Sequence, residues 1–186
     1  KLEGKGLVCH PDAFIRRYRK SDQKHHGAPL TSKEAEAHFA VHYHEEPRKL
    51  FPGIWFLGEI PRKTAFEPFS PLALKADQTP DLLPDDTALA IVEHGKLHVV
   101  TGCSHSGIVN IVRYAQQVTG ISQVETVIGG FHLQQDDQRT RETVRALMHM
   151  RIPNLLPGHC TELPALSAFY RAQPFRQLKS GAILDF

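Results

Sequence analysis

The segment Lys96-Leu97-His98-Val99-Val100-Thr101-Gly102-Cys103-Ser104-His105-Ser106-Gly107-Ile108 decides how this chain is read. Its first six residues are a β-prone run, and a second run at residues 87–93 precedes it across His94-Gly95, which is a hairpin signal. Beyond Gly107, the residues Ile108, Ile111, Val112, Ala115 and Val118 fall on one helical stripe, and Gly120 stands where such a helix stops. A hairpin therefore feeds a strand, a glycine-containing loop and a helix.

Towards the C-terminus the alternation continues. Residues 124–128 form a short apolar run, and Asp136 or Asp137 can cap a helix carrying Val144, Leu147 and Met148 on one side. Residues 154–156 read as a strand, residues 162–172 as a helix with Leu166, Phe169 and Tyr170, and residues 182–184 as a last strand. Strand alternating with helix predicts a largely parallel sheet, whose loops leave the C-terminal strand ends along one edge. Those loops are where a site belongs.

Towards the N-terminus the pattern is weaker. Leu7 and Val8 suggest a strand, and Thr31 caps a short helix reaching about His38. Residues 51–61 read as one strand closed by prolines, and residues 68–86, with Pro68, Pro71, Pro80 and Pro84, as an irregular loop or lid. The cluster Arg16 to Lys20 reads as a solvated face, although two arginines near His10-Pro11-Asp12 could hold a phosphate. His42 and His44 would share one side of a strand and are read as a solvated edge.

Composition limits the alternatives. The 186 residues carry a net charge of +2, too balanced for a dedicated nucleic-acid binder, and 41% hydrophobic with 23% charged residues is globular composition. A single domain over residues 1–186 is expected. No apolar run approaches the roughly 20 residues that span a bilayer, so no membrane partner is expected. Cys9, Cys103 and Cys160 are too few and too scattered for a disulfide framework, which favours a reducing, cytoplasmic setting. The chain opens at Lys1 without an initiator Met and reads as part of a longer protein.

Twelve histidines need an explanation. Three successive strand-to-helix loops each combine glycine with histidine: Thr101 to His105, Gly129-Gly130-Phe131-His132-Leu133 and Pro157-Gly158-His159-Cys160. Glycine lets the backbone approach a ligand, and the helix N-terminus that follows favours anions. Zinc takes imidazole, thiolate and carboxylate, so His105 and His159 are the leading candidate ligands, with Cys103 beside them. His132 could be a ligand, a substrate contact or an acid. A loop histidine can equally serve only the backbone, and Cys103 or Cys160 can be a small core residue. Arg62 and Glu67, in a proline-flanked loop, are candidates for lining the substrate pocket, against plain salt bridging. No Walker loop, dinucleotide fingerprint, nucleophile elbow or Cys-x-x-Cys is present.

With these three loops in order, and with His10-Pro11-Asp12-Ala13-Phe14, Gly58-Glu59-Ile60-Pro61-Arg62, Phe66-Glu67 and Asp85-Asp86 ahead of them, the chain resembles the metallo-β-lactamase-fold superfamily of metal-dependent hydrolases. Its nearest likeness is to the dihydropterin-ribofuranosylaminobenzene phosphate synthase-like branch. The resemblance implies an α/β architecture, an αββα sandwich of which this chain is the C-terminal part, with the N-terminal portion absent. It implies a divalent metal, commonly zinc and in some members iron or manganese, that activates water. Pro157-Gly158-His159 matches the superfamily's last metal histidine, and Cys103 or His105 stands where a bridging carboxylate usually follows a strand. The upstream His-x-His-x-Asp-His motif has no counterpart, since His42-Tyr43-His44 lacks the Asp-His.

The expected function is a metal-dependent hydrolase acting on a phosphorylated or otherwise anionic small molecule, with His132 positioning substrate or relaying a proton. The alternatives are a pterin-linked synthase and a catalytically inactive ligand-binding domain. A chain lacking its upstream strands is also expected to associate, as a homo-oligomer or with the missing N-terminal segment.

Overall fold

The computed structural model describes residues 4–67, 71, 73–173, 175, 178 and 180–183. In chain order its elements are β1 (Gly6–Cys9), a 3-10 turn (Pro11–Phe14), β2 (Arg17–Arg19), α1 (Ser32–His38), β3 (Ala40–Tyr43), β4 (Arg48–Phe51), β5 (Ile54–Phe56), β6 (Ala73–Lys75), β7 (Pro80–Asp81) and β8 (Ala88–Glu93). There follow β9 (Lys96–Thr101), α2 (Ile108–Thr119), β10 (Val124–Gly129), α3 (Gln138–His149), β11 (Asn154–Pro157) and α4 (Leu163–Ala172).

The expected hairpin forms with Glu93 opposite Lys96, and both His94 and Gly95 take positive φ, as a two-residue turn matching strand twist requires. β9, β10 and β11 run parallel, with Val99 beside Val127 and Val127 beside Leu155. The principal sheet has the order β11-β10-β9-β8-β5-β4 and changes from parallel to antiparallel between β9 and β8. Ile108, Ile111, Val112 and Ala115 of α2 are at most 1% exposed and pack in one cluster with Leu97, Val99, Val127, Val144, Leu147 and Phe169. Helices and sheet thus bury their apolar faces against each other, and the α/β class expected from the alternation holds.

Helix starts follow local chemistry. Asp137, rather than Asp136, caps α3 by accepting the Thr140 N–H at 2.8 Å, while Asp136 pairs with Arg141 and Arg171. Thr31 and Glu34 close a reciprocal capping box on α1.

Four sequence expectations need correction, the first being that the Arg16 to Lys20 cluster is not wholly a solvated face: Arg17 is 3% exposed and paired with Asp81 and Asp85. Residues 51–61 are not one strand: Pro52-Gly53 turns the chain between β4 and β5, pairing Phe51 with Ile54, and strand pairing ends at Phe56. Leu57 and Ile60 beyond it are buried in the core without a strand. Within residues 68–86, β6 and β7 join β2 in a small antiparallel sheet, and Pro80 sits on its edge strand, where a missing N–H does no harm. The last strand is not formed at Ala182 and Ile183, where Ile183 is 81% exposed and has no burial to gain; Leu184 lies outside the described residues. His42 is exposed on β3, which pairs in parallel with β1.

Candidate metal centre

Because β9, β10 and β11 are parallel, their C-terminal ends at Thr101, Gly129 and Pro157 lie side by side, and the three glycine–histidine loops leave along one edge. The loops are also sewn together. Gly130 N–H donates to Gly102 C=O and Gly158 N–H to Gly129 C=O, each at 2.7 Å. The buried Ser104 hydroxyl donates to Gly130 C=O at 2.6 Å, and Phe131 N–H donates to the Thr161 hydroxyl at 3.0 Å.

This lateral stitching brings Cys103, His159 and Cys160 together, with one potential ligand atom from each within 4.8 Å of the others. Cys103 Sγ lies 3.0 Å from His159 Nε2, and the Cys160 thiol points to Cys103 C=O at 3.6 Å. Gly130 makes room for the cluster. A Cβ on it would overlap the Cys160 sulfur and stand 2.9 Å from His159 Cε1, so only glycine leaves both side chains where they are.

His105 and His132 lie beside the cluster, their rings edge to face with centroids 4.6 Å apart. His132 is held at φ +48°, and its Nδ1 is buried without a hydrogen-bond partner. Burial, then the neighbouring His105, lowers its pKa, so it is neutral near neutrality. For His105 burial acts against the charged form, yet the hydrogen bond to Cys103 and the Asp86 carboxylate outweigh it and raise its pKa. Its Nδ1 stands 3.7 Å from Asp86 Oδ1. Hydrogen bonds from Cys160 and His105 lower the Cys103 thiol pKa and favour its thiolate, and the Cys160 thiol is pushed up chiefly by Cys103.

The predicted residues therefore divide. Cys103 and His159 meet, whereas His105, one of the two leading candidate ligands, adjoins Cys103 without joining the Cys103–His159–Cys160 group, and its ring contacts that of His132. Arg62 donates to His105 C=O at 2.8 Å and to Leu82 C=O, and lines a cavity of about 230 Å³ with Glu59, Asp86 and Ser106.

Glu67 is placed otherwise than a substrate contact requires. It is 3% exposed and accepts Val109 N–H at 2.8 Å, Asn110 N–H at 2.9 Å and the Thr64 hydroxyl at 2.8 Å. It thus caps α2 from a distant loop, because Gly107 at the N-cap has no side chain to do so. A Cβ on Gly107 would stand 2.7 Å from that of Glu67, so the glycine and the remote carboxylate fit as a pair.

Two participants escaped the sequence reading. Cys160 looked like a core residue, and its signal was adjacency to His159 in a loop facing Cys103. Asp86 was visible only as part of an acidic pair. It accepts Ser106 N–H at 2.8 Å and the Ser106 hydroxyl, fixing the loop that carries His105. A second cavity, about 450 Å³, opens over Asp86, Gly102, Cys103 and His105 and extends to Arg17 and Asp85.

No protein-family model matches the chain. It is 37% identical over 150 residues to the 7,8-dihydropterin-6-methyl-4-(beta-D-ribofuranosyl)-aminobenzene-5'-phosphate synthase of Methanocaldococcus jannaschii, a match covering 76% of this chain and 51% of that protein. The chain thus spans about half the length of that relative. An uncharacterized protein of the same organism is 29% identical over 185 residues, covering 98% of this chain and 68% of the relative. Among solved structures, a metal-dependent hydrolase of the β-lactamase superfamily superposes with a TM-score of 0.85 at 23% identity, covering 100% of this chain and 72% of its own.

Proposed function

From the metallo-β-lactamase fold of this chain we propose that it carries part of a metal-dependent hydrolase site for a phosphorylated or otherwise anionic small molecule. The observation behind this reading is the convergence of Cys103 and His159 at the C-terminal edge of the parallel strands, with two more histidines alongside. The donor set fits a divalent ion: sulfur and imidazole nitrogen are the atoms zinc prefers, and the Gly130 backbone leaves the space clear. Cys103 and His159 would hold it. When bound, such an ion supplies Lewis acidity and acidifies water towards neutrality.

The chain's own residues supply the rest. His105 and His132 touch edge to face with centroids 4.6 Å apart, so two imidazoles stand together beside the candidate ligands. Neutral His132, with its unpartnered Nδ1, takes or returns a proton or holds a substrate oxygen. The Arg62 guanidinium at the adjacent cavity supplies positive charge for an anionic group.

A second reading is favoured by the 37% identity to the synthase: joining a pterin to an aminobenzene ribosyl phosphate. Assaying metal-loaded protein on phosphomonoesters and phosphodiesters, and separately for pterin condensation, distinguishes the two. Hydrolytic turnover supports the first, condensation alone supports the second, and a protein that takes up no metal and shows neither activity defeats both. His159→Ala should remove metal and activity together. His132→Ala should cut turnover by roughly 10²- to 10⁴-fold with metal retained; metal loss as complete as in His159→Ala would make His132 a ligand instead.

A further inference from the structure

The third member of the cluster, Cys160, has no part in the reading above. It directly follows His159, so one turn after β11 delivers an imidazole and a thiol to the same place. Its sulfur lies against the Cys103 loop, and Gly130 is the backbone that both Cys160 and His159 pack against. Tetrahedral zinc with bonds of about 2.3 Å to sulfur and 2.0–2.1 Å to nitrogen spaces its ligand atoms roughly 3.5–3.8 Å apart. The present spacings, 3.0 Å at the short end and no more than 4.8 Å at the long end, bracket that range. Small side-chain adjustments suffice.

We infer that Cys160 is a metal ligand, and that Cys103, His159 and Cys160 form a sulfur-rich three-ligand site that selects zinc over magnesium and manganese. Two thiolates and one imidazole suit a borderline-soft ion, whereas magnesium and manganese prefer carboxylate, carbonyl and water oxygen. Three ligands from this chain leave room for a further ligand or a water on a four-coordinate ion. As the ion binds, the sulfur–metal bond replaces the Cys160 S–H bond and the proton passes to solvent. This inference rests on the metal-dependent reading and adds the third ligand and the choice of ion.

The test is a Co²⁺ titration of reduced, chelator-stripped protein, read by the near-ultraviolet thiolate-to-cobalt charge-transfer band, whose intensity follows the number of bound thiolates. Wild type should show a two-thiolate band, Cys160→Ser and Cys103→Ser about half of it, and the double variant none. Zn²⁺ should displace Co²⁺ stoichiometrically, and Mg²⁺ or Mn²⁺ in large excess should not. Affinity in Cys160→Ser should fall by roughly 100-fold or more, exceeding the loss typical of an outer-shell partner. Should the variants unfold, zinc protection of wild-type thiols from iodoacetamide, read by mass spectrometry, gives the same answer: Cys103 and Cys160 protected, Cys9 still alkylated. Full band intensity in Cys160→Ser, or a bound ion that leaves Cys160 open to alkylation, overturns the inference and leaves the metal-dependent reading standing. Failure to bind any of these ions overturns both.

Discussion

Residues 88–172 and residues 6–85 are held by different forces. In the later region, α2, α3 and α4 bury aliphatic and aromatic side chains on the parallel strands, and the buried cluster is contiguous. In the earlier region β4 and β5 extend the later region's sheet and Leu57 and Ile60 join its cluster, but around the small β2-β6-β7 sheet buried apolar side chains are sparse: Ala35, Ala73 and Leu83. What closes its small sheet is Arg17, 3% exposed, with Nε 2.6 Å from Asp81 Oδ2 and both terminal nitrogens on Asp85, at 2.7 and 3.0 Å. A buried charge set tolerates replacement of the whole group far better than loss of one partner, whereas an apolar cluster loses stability in proportion to the volume removed. The two regions should therefore fail differently.

Arg17→Ala is the most damaging change expected, because it leaves the buried Asp81 carboxylate and the partly buried Asp85 carboxylate without their cation. The loss should be about 3–5 kcal/mol, seen in urea melts and concentrated in β2, β6 and β7 by hydrogen exchange. Equal loss of protection in α2 and α3 would show that the regions share one cooperative unit.

Glu67 joins the two regions, and Glu67→Gln should cost about 1–3 kcal/mol, since an amide cannot accept from both Val109 and Asn110. It also has a pH signature. Burial raises the Glu67 pKa despite the hydrogen bonds from Val109, Thr64 and Asn110 that oppose it. The folded state thus holds its proton at higher pH than the unfolded chain, and the stability this contributes is lost as pH rises. The gap between wild type and Glu67→Gln should narrow as pH climbs from about 4.3, the ordinary glutamate value, through the raised one. A gap that widens over that range would contradict the shift.

Ile111→Val is the smallest change, about 0.5–1.5 kcal/mol, with no regional bias in exchange. Ile111 is fully buried in α2, so a loss confined to residues 6–85 would refute the division.

The same contrast explains what could be read in advance. Helices α2, α3 and α4 announced themselves through apolar spacing and nearby caps, and the parallel strands followed, because the forces holding them act between residues close in sequence or repeat with a fixed period. Cys103 and His159 were legible for a related reason: each lies in a glycine loop that topology places on one edge. Arg17 and Asp85 are 68 residues apart, and Glu67 and Val109 are 42 apart, so no local pattern marks those bonds. Cys160 was hidden differently, since a lone thiol in a loop carries no period and its partner Cys103 comes from another strand end.

The sewing between loops has a consequence for motion. Gly130 and Gly158 stand at or past strand ends, where amides usually exchange quickly with solvent, yet each N–H is locked to the neighbouring loop's carbonyl at 2.7 Å. Their deuterium uptake should match that of central strands, and the three loops should open together in a single event. Cys103 and His159 would then keep their separation through ordinary fluctuations, so the proposed ligands stand already gathered rather than on flexible arms that must find one another.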